Sequence, residues 1–258
     1  MITRKIIRLN ITESTNSIAL ELGKKGAVPG TVVVANTQTG GRGRLNRTWL
    51  SLSGMGLYFS IILRPKLAPE HLPKVTLAAG LALSKVVESE YSLSPQIKWP
   101  NDLLLDGRKF GGILTETEPV ADLDSNYSTL VIVGVGLNLS KPEGGFPSDI
   151  KERATALSLH TSREISSEIL LETCVAEVEN ELLRLEKGEF PEILQEWMQR
   201  DACKDKVLTW VTPQGKEVTG VSLGPDPDGS LRIKDQAGDI HTVLSGDVTL
   251  VTKFSENT

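Results

Sequence analysis

A chain of 258 residues, 39% hydrophobic and 24% charged, can bury a real core in one large domain or two smaller ones. Its net charge of −5 argues against a general nucleic-acid binder, whose electrostatic footprint is basic, so any anionic ligand must be held by a local cluster of cations. No run approaches the roughly 18 apolar residues of a membrane span, and the N-terminal MITRKIIRLNITEST lacks the apolar stretch and cleavage site of a signal peptide.

The elements mix strands and helices. KIIRLNI (5–11) alternates as a strand, and Ser14 or Thr15 then caps a helix running to about Lys25. TVVVAN (31–36) is a β-branched strand, followed by a glycine- and arginine-rich segment. MGLYFSIILRP is the next strand, stopped by Pro65, and residues 72–87 have the apolar density of a buried helix. QIKWPNDLLL and KFGGILTE flank Asp106-Gly107, a strong hairpin signal. LVIVGVGLNLS (130–140) reads as a buried strand ending in a glycine-rich turn. Over 166–187, Leu171, Val175, Val178, Leu182 and Leu185 recur at helical spacing, and Cys174 falls on the same stripe. Composition changes after about Lys204. VLTWV, VTGVSL, LRIKD, HTVLS and VTLV alternate with turn signals at PQGK, PDPDGS, AGD and GD, which predicts a small closed barrel with a frayed tail at SENT. Cys203 sits near that junction. Two cysteines so placed make a disulfide framework unexpected and a reducing cytoplasm the simplest compartment.

Three segments carry chemistry. QTGGRGRLNRTW (38–49) holds Arg42, Arg44 and Arg47 and no acid. Glycine lets backbone approach a ligand closely, and arginine offers a fork of donors that matches phosphate oxygens. In an acidic protein such a loop suits a polyphosphate clamp, although a solvated surface turn has the same composition. It is neither a Walker loop nor a Rossmann fingerprint, because Asn46 fills the third glycine position. KWPNDLLLDGRKFGGIL (98–114) sets Lys98, Asn101, Asp102, Arg108 and Lys109 on two arms of one hairpin, so Asp102 and Lys109 can share one face. GVGLN (134–138) supplies one amide beside two glycines.

Taken together in this order, ESTN (13–16), QTGGRGRLNRTW, KWPND with RKFGGIL, and GVGLN resemble the biotin–protein ligases. The β-rich tail resembles that family's small SH3-like domain. The resemblance implies an α+β fold: a class II aminoacyl-tRNA-synthetase-like catalytic domain with a mixed sheet over residues 1–204, and an SH3-like barrel over 205–258. It implies that biotin's carboxylate attacks the α-phosphate of ATP, with Mg²⁺ on the polyphosphate, and that the biotinyl-5′-adenylate then acylates a lysine of a biotin carboxyl carrier protein. The family loop commonly has glycine where Asn46 stands, and asparagine tolerates left-handed backbone angles, so a retained fold with altered loop dynamics is expected. The chain starts directly at the catalytic domain, so the DNA-binding helix-turn-helix of repressor-type members has no room and no DNA partner is expected. Edge strands leave a homodimer open.

The resemblance also assigns residues. Lys109, Arg42 and Asp102 carry the reaction. Lys109 offsets charge between carboxylate and α-phosphate. Asp102 orients or deprotonates the carrier lysine, or else holds Mg²⁺. Ser14, Thr15, Asn16, Gln38, Gly41, Arg42 and Gly112 match the biotin pocket, where a ureido carbonyl and two N–H groups must all find partners. Arg42, Gly43, Arg44, Arg47, Trp49, Lys98, Asn101, Lys109 and Asn138 match the ATP or adenylate site. A lipoate or octanoate ligase of related fold, with an apolar tunnel in place of ureido partners, is the nearest rival. A nucleic-acid-binding module is the other, disfavoured by charge and by an aromatic content of 5%.

Overall fold

The computed structural model describes residues 4–119, 129–211, 217–243 and 247–250. The expected turn at 213–216 and the tail at 255–258 lie outside these residues. Two sheets organise the chain. The first has seven strands in the order β1-β2-β3-β7-β6-β5-β4. These are β1 (Ile6–Thr12), β2 (Val32–Gln38), β3 (Gly56–Leu63), β4 (Gln96–Lys98), β5 (Asp102–Leu105), β6 (Arg108–Pro119) and β7 (Thr129–Asn138). β1 and β2 run parallel, joined by the helix α1 (Thr15–Lys24), and the other neighbours are antiparallel.

The period of two along each strand sorts side chains between the sheet's faces. Leu57, Phe59, Ile61 and Leu63 of β3 and Val131, Val133, Val135 and Leu137 of β7 point to one face. There they meet α2 (Lys74–Tyr91), α3 (Ser167–Glu186) and α4 (Phe190–Met198) in the main core. On that side the fully buried carboxylate of Glu181 in α3 accepts from Lys85 of α2 at 2.7 Å and from Arg184 at 2.9 Å. The opposite face packs α1. There Ile62, Leu130 and Ile132 meet Ala19 and Val33 in a smaller cluster. Further along the same rows the large apolar residues give way to Ser60, Gly134, Gly136 and Gly112. This gap in the apolar face is where the site lies.

The hairpin forms as the Asp106-Gly107 pair predicts. Both residues have positive φ, 48° and 72°, as a tight two-residue turn between twisted strands requires. WPN is itself a tight turn, separating β4 from β5, with a cis Trp99–Pro100 bond. The glycines of GVGLN are not in a turn but within β7, a correction explained by their neighbours below. The helix α4 has no counterpart in the sequence reading.

The C-terminal sheet has five antiparallel strands in the order β11-β10-β9-β8-β12. They are β8 (Val207–Val211), β9 (Glu217–Pro225), β10 (Leu231–Asp235), β11 (Ile240–Val243) and β12 (Asp247–Leu250). Among the described residues β11 and β12 form its edges. Leu208, Leu231, Ile233 and Val243 continue the main core, and the Trp99 indole donates to the Gly229 carbonyl at 3.0 Å. Cys174 and Cys203 are both buried free thiols, pushed upward in pKa by that burial. Among the described residues, no helix is long and apolar enough to cross a membrane.

Candidate active site

The cleft opens on the α1 face of the large sheet, and the backbone forms its floor. A Cβ on Gly134 would sit 2.0 Å from Asn16 Oδ1, and one on Gly136 would sit 2.5 Å from the Trp49 indole. A Cβ on Gly112 would meet Trp49 at 3.1 Å and the Lys109 side chain at 3.2 Å. Glycine at these three positions lets Asn16 and Trp49 lie directly on the sheet.

One wall is the start of α1. Ser14 is its N-cap in position, with extended backbone, but its side chain makes no capping bond. Thr15 donates to Gln38 Oε1 from its backbone N–H at 2.8 Å and its hydroxyl at 3.1 Å. Gln38 in turn donates to Ser51 Oγ at 2.8 Å. Ser60 Oγ donates to Asn16 Oδ1 at 2.6 Å, while the Asn16 amide donates to Leu114 O at 3.1 Å and to Glu116 Oε2 at 2.7 Å. Apart from the Glu116 carboxylate, this is a cradle of uncharged donors and acceptors, nearly all buried and mutually satisfied.

The opposite wall is the β5–β6 hairpin. Lys109 Nζ lies 2.6 Å from Asp102 Oδ1, with both side chains partly shielded, and 5.2 Å from the centroid of the Trp49 ring. Asn101 is buried; it donates to Ile113 O at 3.0 Å and accepts from Arg44 at 3.3 Å. The arginine loop roofs the cleft. Arg42 donates to Glu116 at 2.9 Å, and Trp49 N–H closes the loop onto Gly41 O at 2.8 Å. Within the loop, Leu45 holds left-handed angles (φ 54°, ψ 37°), which cost a leucine roughly 1–2 kcal/mol.

Ser14, Thr15, Asn16, Gln38, Arg42, Gly43, Arg44, Arg47, Trp49, Asn101, Asp102, Lys109 and Gly112 all line this one cleft. Three expected residues do not. Gly41 is buried behind the wall, where a Cβ would lie 2.4 Å from Trp49 O. Lys98 lies on the edge strand β4, in backbone register with Asp102. Asn138 donates to Thr155 O at 3.0 Å, tying the end of β7 to the chain that follows it. Sequence reasoning missed Ser51, Ser60 and Glu116. An isolated serine carries no motif signal, but Glu116 falls four residues after Gly112, on the same β6 face.

Among the described residues, no group of three or more His, Cys, Asp or Glu side chains is arranged to hold a metal. Asp102 is the one carboxylate lining the cleft among the described residues.

A glycine-floored cleft on a mixed sheet, roofed by an arginine loop and holding a paired lysine, defines a protein that binds an anionic, partly polar small molecule beside phosphate-type charge. Residues 9–138 match the model of the biotin/lipoate A/B protein ligase family, and the chain belongs to that family. It is 34% identical over 245 residues to the bifunctional ligase/repressor BirA of Bacillus spizizenii, covering 95% of this chain and 74% of that protein. It is 29% identical to the biotin–[acetyl-CoA-carboxylase] ligase of Mycobacterium tuberculosis, covering 92% of this chain and 85% of the relative. The structure of the Aquifex aeolicus biotin protein ligase in complex with biotin and ATP superposes with a TM-score of 0.79 at 31% identity, covering 95% of this chain and 98% of that one.

Proposed function

We infer that this chain is a biotin–protein ligase, which activates biotin as biotinyl-5′-AMP and transfers it to a lysine of a carrier protein. The observation that carries the reading is the placement of the Lys109–Asp102 pair and the arginine loop on either side of one polar cradle. The cradle suits a ureido ring, since Ser14, Thr15, Asn16 and Gln38 line it with both donors and acceptors. A purely aliphatic acyl chain would gain nothing from this polar lining, whereas a ureido ring can exchange donors and acceptors with it.

In the first half-reaction biotin's carboxylate oxygen attacks the α-phosphorus of ATP, and pyrophosphate leaves with the electron pair of the broken P–O bond. Two anions must be brought together, so fixed cations in a shielded site are the main requirement. In this reading Lys109 lies against the carboxylate and α-phosphate oxygens, and Arg42, Gly43, Arg44 and Arg47 receive the phosphates; their shared lining of one cleft supports it. When bound with the nucleotide, Mg²⁺ would supply further charge neutralisation. Among the described residues Asp102 is the single carboxylate within the lining, which fits the ion only as one borne by the nucleotide. In the second half-reaction the carrier lysine's neutral amine attacks the acyl carbon, the acyl–phosphate bond breaks and AMP leaves. Asp102 is positioned to orient that amine and accept its proton once Lys109 has engaged the ligand. The carrier domain is the one macromolecular partner the reaction requires.

The cleft encloses about 150 Å³, well under the roughly 300–1,000 Å³ of typical ligand pockets. Trp49 lies across Gly112 and Gly136, so room for the adenylate comes from moving Trp49 with the loop that carries it. The test is mass spectrometry of a biotin carboxyl carrier domain incubated with the chain, ATP, Mg²⁺ and either biotin or lipoate. One biotin on one lysine is expected, and transfer of lipoate alone would overturn the reading.

A further inference from the structure

Gly112 and Leu114 of β6 line the cleft, and Glu116 continues the same face of the strand just beyond the lining. Glu116 ends this row just behind Asn16 and Arg42. Its Oε2 accepts two hydrogen bonds at once, from the Asn16 amide at 2.7 Å and from the Arg42 guanidinium at 2.9 Å. The same Asn16 is fixed from its other end by Ser60, so Glu116 links the floor, the helix α1 and the arginine loop through one oxygen. Its exposure is modest, 28% of the side chain, while Arg42 is 45% exposed. A second carboxylate, Asp102, neutralises Lys109 across the cleft. Two cations available to a carboxylate or phosphate ligand thus each carry an internal counter-ion.

We propose that Glu116 is a specificity-determining residue that competes with the substrate's anion for Arg42. It holds the guanidinium down on the sheet and gives it up only to a ligand whose own anionic oxygens outbid one carboxylate. A simple solvent anion would have to break the Glu116 pair for a single contact. A biotin carboxylate gains Lys109 as well, and the adenylate gains the rest of the loop. Glu116 therefore lowers the affinity of Arg42 for every anion, so that only one with further contacts in the cleft is retained, while its bond to Asn16 keeps the cradle in register. This rests on the assignment of Arg42 to the ligand's anion.

The test compares binding of biotin with that of its neutral primary amide, by calorimetry, in wild type, Glu116→Gln and Arg42→Ala. The readout is the ratio of the two affinities. Any structural damage to the cradle changes both ligands alike and cancels. In Glu116→Gln the ratio should shift toward biotin by about two- to five-fold, the range expected for an ion pair this exposed. In Arg42→Ala it should shift away from biotin. An unchanged ratio in Glu116→Gln, with a loss in Arg42→Ala, overturns the competition proposal alone. A shift away from biotin in Glu116→Gln also overturns it, since Glu116 would then support the bound state. An unchanged ratio in both variants overturns the assignment of Arg42 and the proposal with it.

Discussion

Replacing Gly134 by alanine tests whether the glycine floor holds the site together. The added Cβ would lie 2.0 Å from Asn16 Oδ1 and 2.7 Å from its Cγ, far inside van der Waals contact. Asn16 is 4% exposed and cannot simply swing into solvent. Moving it gives up the bonds to Ser60, Glu116 and Leu114. Overpacking alone costs about 1–3 kcal/mol, and each lost hydrogen bond adds roughly 0.5–1.5 kcal/mol. Partial relaxation keeps the sum near ~2–4 kcal/mol. At about 2–4 °C per kcal/mol for a chain of this size, Tm should fall by about 4–16 °C. Calorimetry on Gly134→Ala, Asn16→Ala and the double variant reads the coupling directly. If the clash with Asn16 is the cause, the double variant is scarcely less stable than Asn16→Ala. Additive losses, or a Tm within a degree of wild type in Gly134→Ala, would refute the argument.

Lys109→Ala should slow pyrophosphate release by about 10²–10³, the scale for removing one preorganised donor, with Tm changed little; a wild-type adenylation rate removes Lys109 from the mechanism. Burial pushes the Asp201 carboxyl up to about 6, although its Oδ1 accepts from Cys203 N–H at 2.8 Å. A folded pKa above the unfolded value near ~3.9 means that stability is lost as pH rises through that interval, by up to about 3 kcal/mol. Asp201→Asn should therefore gain on wild type in thermal melts between pH 4 and 7, and parallel curves over that range would count against the shift.

The elements that were legible from sequence are those with a strong period or turn signal. Asp106-Gly107 announces its hairpin because few other residue pairs accept positive φ twice in succession. The stripe Leu171, Val175, Val178, Leu182 and Leu185 is buried as its spacing requires. The helix α4 was lost because nine residues beginning FPE give too short a window for periodicity to stand out. GVGLN was misread as a strand ending in a turn. Local pattern carries no trace of Asn16 and Trp49, which approach Gly134 and Gly136 from distant segments. The motif residues of the site were legible through resemblance, and most converge on one cleft. Glu116 was not, because the acids of an alternating TETE run read as solvent-facing positions until the fold sets Arg42 over one of them. Asn46 drew attention in the loop, whereas the left-handed angles recorded there belong to Leu45.

A floor built of backbone has an evolutionary consequence. Side chains can be exchanged by single substitutions, but Gly112, Gly134 and Gly136 present only peptide groups and hydrogen atoms to whatever lies above them. A replacement at Gly134 collides with Asn16, and with Trp49 lying on the sheet one at Gly136 collides with the indole and one at Gly112 is pressed against it. The floor is thus closed to gradual tuning, and a change of cargo must be written in the walls. Thr15, Gln38 and Leu114 are the positions where that rewriting would begin, because they line the cleft and are not confined to glycine. A lineage that replaced this polar cradle with aliphatic groups would keep the lysine, the loop and the sheet while accepting a different acid.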